Sequence, residues 1–123
     1  MKFRKWTIWR ANLDPIVGSE QGLTRPVLII SDDSINDLIN TVNVIPITTR
    51  KINRVIYPNE VLLNSNLYGL TEESIALCHQ IRTLDKKRFA KFYGEITDSK
   101  KQNEIIEALF FQLGIDNYIP VSL

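Results

Sequence analysis

Apolar residues recur in short runs along the first three quarters of this chain and at helical spacing only near its end. Runs at 8–11, 26–31, 42–48, 55–57 with 60–63, and 75–83 read as strands. Within 75–83, alternation places Ile75, Leu77 and Ile81 on one face and Cys78, Gln80 and Arg82 on the other. Pro46 implies an edge position or a bulge for 42–48, because it has no N–H to give a ladder. Residues 34–39 fit a helical turn, and 64–73, with Asn64, Asn66 and Gly69, reads as a turn. Beyond residue 98 the period changes. Ser99-x-x-Gln102 is a candidate capping box, Ile105, Ile106, Leu109, Phe110 and Leu113 form one apolar stripe, and Gly114 is a natural stop. Short strands followed by one packed helix predict a mainly β domain with short helices, a small and strongly bent barrel.

Length and composition narrow the class. The 123 residues fit one domain, 1–123, large enough for a true core. With 44% apolar and 24% charged residues the chain has a globular balance, which argues against disorder. No apolar run nears the roughly 20 residues that span a bilayer. The basic start, Lys2 to Lys5, lacks an apolar signal core, since Arg10 and Asn12 follow too soon. A single cysteine, Cys78, excludes an internal disulfide and a cysteine-cluster metal site. The expected location is the cytoplasm, with no membrane partner.

A net charge of +1 does not by itself mark a nucleic-acid binder, but the distribution is uneven. Lys2, Arg4, Lys5 and Arg10 precede the first acid, Asp14, and Arg50, Lys51 and Arg54 occupy an acid-free stretch. Folding either joins these segments as a phosphate-attracting face or leaves them as solvated strand ends.

The most informative segment is 12–31. A polar loop punctuated by Gly18 and Gly22 delivers Arg25 to the start of an apolar strand. Pro26 holds Arg25 extended, and 27–30 has the composition of a strand buried on both faces. A guanidinium fixed in this way beside Ser19, Glu20 and Gln21 suits a phosphate or carboxylate. The alternative is an arginine paired with Glu20 on a surface loop.

Much familiar chemistry is missing. His79 is the sole histidine, which rules out a two-histidine ribonuclease, and beside Cys78 on an expected strand it reads as a packed or surface residue. Nucleophile-elbow, P-loop and zinc-ligand spacings do not occur. Asp32 and Asp33 fit a turn better than a magnesium site, because strand neighbours face opposite ways. An enzyme built on this chain is expected to work without a metal, a cofactor or a histidine.

The order of segments then resembles a known family. Ile8-Trp9, Asn12-Leu13-Asp14-Pro15, Gly18-Ser19-Glu20-Gln21-Gly22 and Arg25-Pro26-Val27-Leu28-Ile29-Ile30 resemble the opening of MazF/PemK toxins, the ribonuclease halves of type II toxin–antitoxin pairs. Ile45-Pro46-Ile47-Thr48 is similar to their second signature, and Gln80-Ile81-Arg82-Thr83-Leu84-Asp85-Lys86 to their third. Tyr57-Pro58 and Tyr68-Gly69-Leu70 resemble the region between.

The resemblance implies an SH3-like barrel of the CcdB/PemK type with a C-terminal helix, acting as a homodimer. It implies a metal-independent mRNA interferase that cuts single-stranded RNA at short sequences and is neutralised by an acidic antitoxin. DNA would be bound only through the antitoxin complex. Arg25 and Thr48 correspond to the catalytic pair. Ser19, Glu20 and Gln21 fall on the substrate-facing loop, Asn36 matches a loop asparagine, and Gln80 and Arg82 match the third signature. Arg50, Lys51 and Arg54 join them as phosphate-binding candidates on charge, and Trp6, Trp9, Tyr57 and Tyr68 are either stacking platforms or packing residues. Departures lie at Trp6-Thr7, Leu23-Thr24, Asp32 and His79, the last standing where the family often has an acid. Two rival readings share the fold: a CcdB-like protein that poisons gyrase by binding, and a barrel that binds RNA or protein without turnover.

Overall fold

A computed structural model describes residues 2–116. Seven strands form one antiparallel sheet: β1 (Thr7–Asn12), β2 (Thr24–Ile29), β3 (Thr41–Thr49), β4 (Glu60–Leu63), β5 (Ser74–Leu77), β6 (Arg82–Asp85) and β7 (Phe89–Glu95). The sheet order is β4-β5-β3-β2-β1-β7, with β6 also paired to β3. A short helix α1 (Asp33–Asn36) links β2 to β3, and α2 (Ser99–Leu113) follows β7. Among the described residues, no helix is long and apolar enough to cross a membrane. The expected mainly β architecture with a C-terminal helix is therefore present.

Strand β3 is the hub. One side runs along β2, with Val27 opposite Pro46 and Ile29 opposite Val44. The other side serves two strands in turn, β6 up to Val44 and β5 from Ile47. Pro46 is thus in a central strand, not at an edge. The Asn43 carbonyl accepts the Ile30 N–H, so odd-numbered residues of β3 face β2 and even-numbered ones face away. The N–H that Pro46 lacks would point into the gap between β6 and β5, so no ladder bond is lost.

Both faces of β2 are covered, as its composition predicts. Leu28 and Ile30 enter a core with Ile8, Ile45, Ile47, Val61, Leu63 and Ala76, closed by Ile105, Ala108 and Leu109 of α2. Val27 and Ile29 face a second core with Trp9, Val44, Leu84 and Phe89. Trp9 is spoken for there: it packs 5.0 Å from Phe3 and 6.0 Å from Phe89, and its indole N–H donates to Thr7 Oγ1 at 2.9 Å.

Four expectations change. Residues 55–57 form no strand. The run 75–83 is broken by a 3₁₀ turn over Cys78–Gln80, which separates β5 from β6. β7 was not expected; its pairing with β1 carries two register shifts that destroy its alternation. The cap of α2 is Asp98, which accepts the Lys101 N–H at 3.0 Å, while Gln102 donates its side chain to the Ile96 carbonyl at 2.8 Å. A carboxylate there also complements the helix dipole. The stripe of α2 buries Ile105, Ala108 and Leu109, leaves Leu113 exposed, and ends where expected, at Gly114 in the left-handed region.

Candidate active site

The loop between β1 and β2 is held at its neck and at its crown. At the neck, Leu13 N–H donates to the Leu23 carbonyl at 2.9 Å and Leu23 N–H to Asp14 Oδ1 at 3.0 Å. A Cβ on Gly22 would lie 2.7 Å from Asp14 Oδ1 and 2.8 Å from Ile16 Cδ1, so those two side-chain ends would have to shift. At the crown, the Gln80 carboxamide accepts from Gln21 N–H and donates to the Ser19 carbonyl, each at 3.3 Å. Arg82 donates to the Leu13 carbonyl at 3.2 Å, and Arg88 donates to the Asn12 and Asp14 carbonyls. The 3₁₀ turn and the segment after it thus brace the loop.

That brace sets Arg25. Its Nε donates to the Gly22 carbonyl at 2.8 Å, which fixes the guanidinium plane. Its two terminal nitrogens have no hydrogen bond or ion pair among the described residues. Arg25 lines a cleft of about 670 Å³. Ser19 and Gln21 of the loop share it with Arg25, and Thr48, Thr49, Lys51 and Arg54 come from the end of β3 and the segment beyond. Leu77, His79 and Gln80 complete the lining. The side-chain carbonyl of Gln21 is buried with no partner among the described residues.

The model of the family described as "PemK-like, MazF-like toxin of type II toxin-antitoxin system" matches residues 4–112. This chain belongs to that family. Among solved structures, MazF (Form-I) from Deinococcus radiodurans superposes with a TM-score of 0.77 at 28% identity, covering 93% of this chain and 98% of that one. An endoribonuclease in complex with its cognate antitoxin, from a mycobacterial species, gives 0.73 at 25% identity over 95% and 98% of the two chains. The Mycobacterium tuberculosis toxin MazF-mt6 shares the fold, with a TM-score of 0.73 at 24% identity over 89% and 98%. The SH3-like, MazF-type architecture expected from the residue order is thus the fold of this toxin.

Seven of the site residues named from the toxin's sequence meet in the cleft: Ser19, Gln21, Arg25, Thr48, Lys51, Arg54 and Gln80. Four others do not line it. Glu20 turns back on its own loop, accepting the Val17 N–H at 2.6 Å, so it is not the partner of Arg25. Asn36 is buried, accepting from Ser31 Oγ at 2.5 Å and donating to the Ser31 carbonyl at 2.9 Å. Arg82 braces the loop. Arg50 binds the Arg54 carbonyl through Nε at 3.0 Å and Nη2 at 2.9 Å, and Glu73 through Nη1 at 3.0 Å.

The two basic segments do not merge. Arg4 lies 3.6 Å from Asp33, Lys5 stacks on Trp6, and neither lines the cleft. Asp32 caps α1 by accepting from Ser34, and among the described residues no cluster of acid, histidine and cysteine side chains is arranged to hold a metal.

Arg54 is itself committed. It grips Glu60 with two parallel bonds of 2.9 and 2.6 Å, and Glu60 also accepts the Tyr57 N–H at 3.0 Å. The Glu60 side chain is 2% exposed, and its bond to Arg54 holds its carboxyl below the ordinary range against the opposing effect of burial. Because the folded value is depressed, this stabilisation is complete above the unfolded value near 4.5 and fades as pH falls through the folded one. Glu60→Gln should cost about 1–2 kcal/mol at pH 7, discounted for the partly exposed Arg54, with the gap to wild type narrowing below about pH 4. Urea unfolding at pH 7 and pH 3.5 measures it; an equal gap at both would mean the pair contributes through packing alone.

His79 is at the surface, one of the two places its residue type suggests, but not on the expected strand. On a continuous strand it would be an isolated polar side chain; the 3₁₀ turn instead brings it, exposed, to the cleft beside Gln80. Its neighbour Cys78 goes the other way, into the core, where burial pushes the thiol up to about 12.

Proposed function

We propose that this toxin is a metal-independent, sequence-selective endoribonuclease that cleaves single-stranded RNA by attack of the 2′-hydroxyl. One observation carries the reading: Arg25, with its terminal nitrogens unpartnered among the described residues, lines a cleft together with Thr48. A planar fork of donors matches two non-bridging phosphate oxygens. As O2′ bonds to phosphorus the phosphoryl group gains charge, and a donor pair already oriented by Gly22 stabilises that state without reorganising. Thr48 supplies a further donor to a non-bridging oxygen. The P–O5′ bond breaks, leaving a cyclic phosphate, or a 3′-phosphate after its hydrolysis, and a 5′-hydroxyl.

The remaining site residues have graded roles in this reading. Ser19, Gln21 and Lys51 contact substrate, and Gln80 and Arg82 hold the loop that does so. The chain 1–123 works as one domain, as a homodimer, in the cytoplasm. Its partner is an acidic antitoxin whose carboxylates take the phosphate positions near Arg25 and Lys51. Such a segment should displace RNA, less effectively as salt rises; simultaneous full occupancy by both would refute it. DNA is reached through the antitoxin.

Purified toxin should cut a long single-stranded transcript in excess EDTA, and end analysis should find 5′-hydroxyl and cyclic or 3′-phosphate termini. Cleavage that appears only with magnesium would defeat the mechanism. Binding to RNA or gyrase without turnover would favour one of the non-catalytic barrels.

A further inference from the structure

In-line attack by a 2′-hydroxyl needs a group that takes its proton, and the cleft restricts which side chain can serve. Arg25 and Lys51 line the cleft with side chains that donate hydrogen bonds and have no acceptor. Arg54 is tied to Glu60. Ser19, Gln21, Thr48, Thr49, Leu77 and Gln80 have no group that titrates near pH 7. The nearby acids are occupied elsewhere: Glu60 is buried against Arg54, Glu20 binds Val17 N–H, Glu72 accepts from Thr49 and Glu73 from Arg50. One lining side chain remains, the imidazole of His79, and histidine is the residue type most often used as a general base.

His79 is exposed and makes no hydrogen bond or ion pair among the described residues. Its electrostatic surroundings are mixed. Arg25, Lys51 and Arg54 share the cleft as positive groups, and Glu60 of β4 is a negative group that interacts electrostatically with His79. Strand β3 adds only the hydroxyls of Thr48 and Thr49. The α2 side offers the apolar core of Ile105, Ala108 and Leu109, which closes over Cys78.

We propose that His79 is the general base of the cleft, its neutral imidazole accepting the 2′-hydroxyl proton as O2′ attacks phosphorus. This step rests on the nuclease reading above. The O2′–P bond forms, the P–O5′ bond breaks, O5′ takes a proton from water, and the imidazolium returns its proton to solvent. The base acts only when neutral, so cleavage falls as the solution is made acidic. Arg25 then has no need to move protons, and its role is confined to holding the phosphoryl charge.

The test is single-turnover cleavage of a long transcript in EDTA from pH 5 to 8.5, using the full chain and three variants whose folding is checked by circular dichroism. Wild type should show an acidic limb. His79→Gln should be slower by about a hundredfold at neutral pH and lose that limb, the scale of a general base. His79→Ala should be accelerated by added imidazole in proportion to its neutral fraction, which a packing role would not produce. Arg25→Ala should gain nothing from imidazole. An active wild type and a dead Arg25→Ala, beside a His79→Gln within threefold of wild type and keeping the limb, would overturn this step alone. A slow His79→Ala that imidazole does not rescue would also overturn it. A wild type silent on RNA would overturn the nuclease reading and this step together.

Discussion

Arg25→Ala should slow RNA cleavage by at least about a hundredfold while leaving the toxin folded. The size follows from removing a principal donor to the charge that develops on the phosphoryl oxygens, a loss usually worth 10²–10³ in kcat. The effect should fall mainly on kcat, because the interaction strengthens as the phosphoryl group gains charge. Folding should survive because Arg25 is half-buried and makes a single internal hydrogen bond, to the Gly22 carbonyl, worth about 1 kcal/mol. Arg25→Lys keeps the charge but loses the fork and the Nε anchor, so it should recover less than a tenth of the activity. Thr48→Val preserves shape and strand propensity and should be severely impaired as well. Gel-resolved initial rates on one transcript give all three values. Near-normal cleavage by Arg25→Ala would remove the catalytic assignment.

Arg25 is legible in the sequence for a reason that does not extend to the whole site. Its constraints are local: two loop glycines before it, a proline after it, and a strand core that must be buried on both faces. Strands β1 to β4 are legible on the same terms, by runs and alternation. The 75–83 run defeats alternation because the 3₁₀ turn at Cys78–Gln80 resets the facing of every later side chain. This is why His79 escapes notice as a cleft residue. Strand β7 defeats it too, since two register shifts leave Phe89 buried and Ala90, Lys91 and Phe92 exposed.

The polar residues divide by what satisfies them. Arg50, Arg82 and Asn36 have the same side-chain donors as residues that bind ligands, but in the fold those donors go to main-chain carbonyls of Arg54, Leu13 and Ser31. Sequence does not distinguish a guanidinium awaiting a phosphate from one already holding a loop. The difference lies in long-range partners, 69 residues apart in the case of Arg82 and Leu13. Bracing is nonetheless functional here, because the braced loop is what aims Arg25.

A large stability effect should come from a residue with no side chain at all. Gly94 of β7 lies against the turn at Tyr68-Gly69, and a Cβ on Gly94 would collide with the Tyr68 carbonyl and sit 2.9 Å from the Gly69 nitrogen. The reverse also holds, since a Cβ on Gly69 would strike the Tyr93 carbonyl, and Gly69 carries φ +81°. Both obstacles are backbone, so no rotamer change relieves them. Movement of the turn would drag Leu70 from the core and strain the 2.7 Å bond from Tyr68 to Asp98, the residue that caps α2. Movement of β7 would instead break its pairing with Ile8 of β1. Gly94→Ala should therefore cost at least about 3 kcal/mol, a large share of a domain's stability, and lower Tm by roughly 10 °C. Gly18→Ala is the informative contrast: its φ is +57° but nothing lies within 4 Å of the added Cβ, so only about 1 kcal/mol of backbone strain applies. Calorimetry on the two variants separates contact from conformation, and a Gly94→Ala chain melting within 3 °C of wild type would show that the turn and β7 are not pressed together.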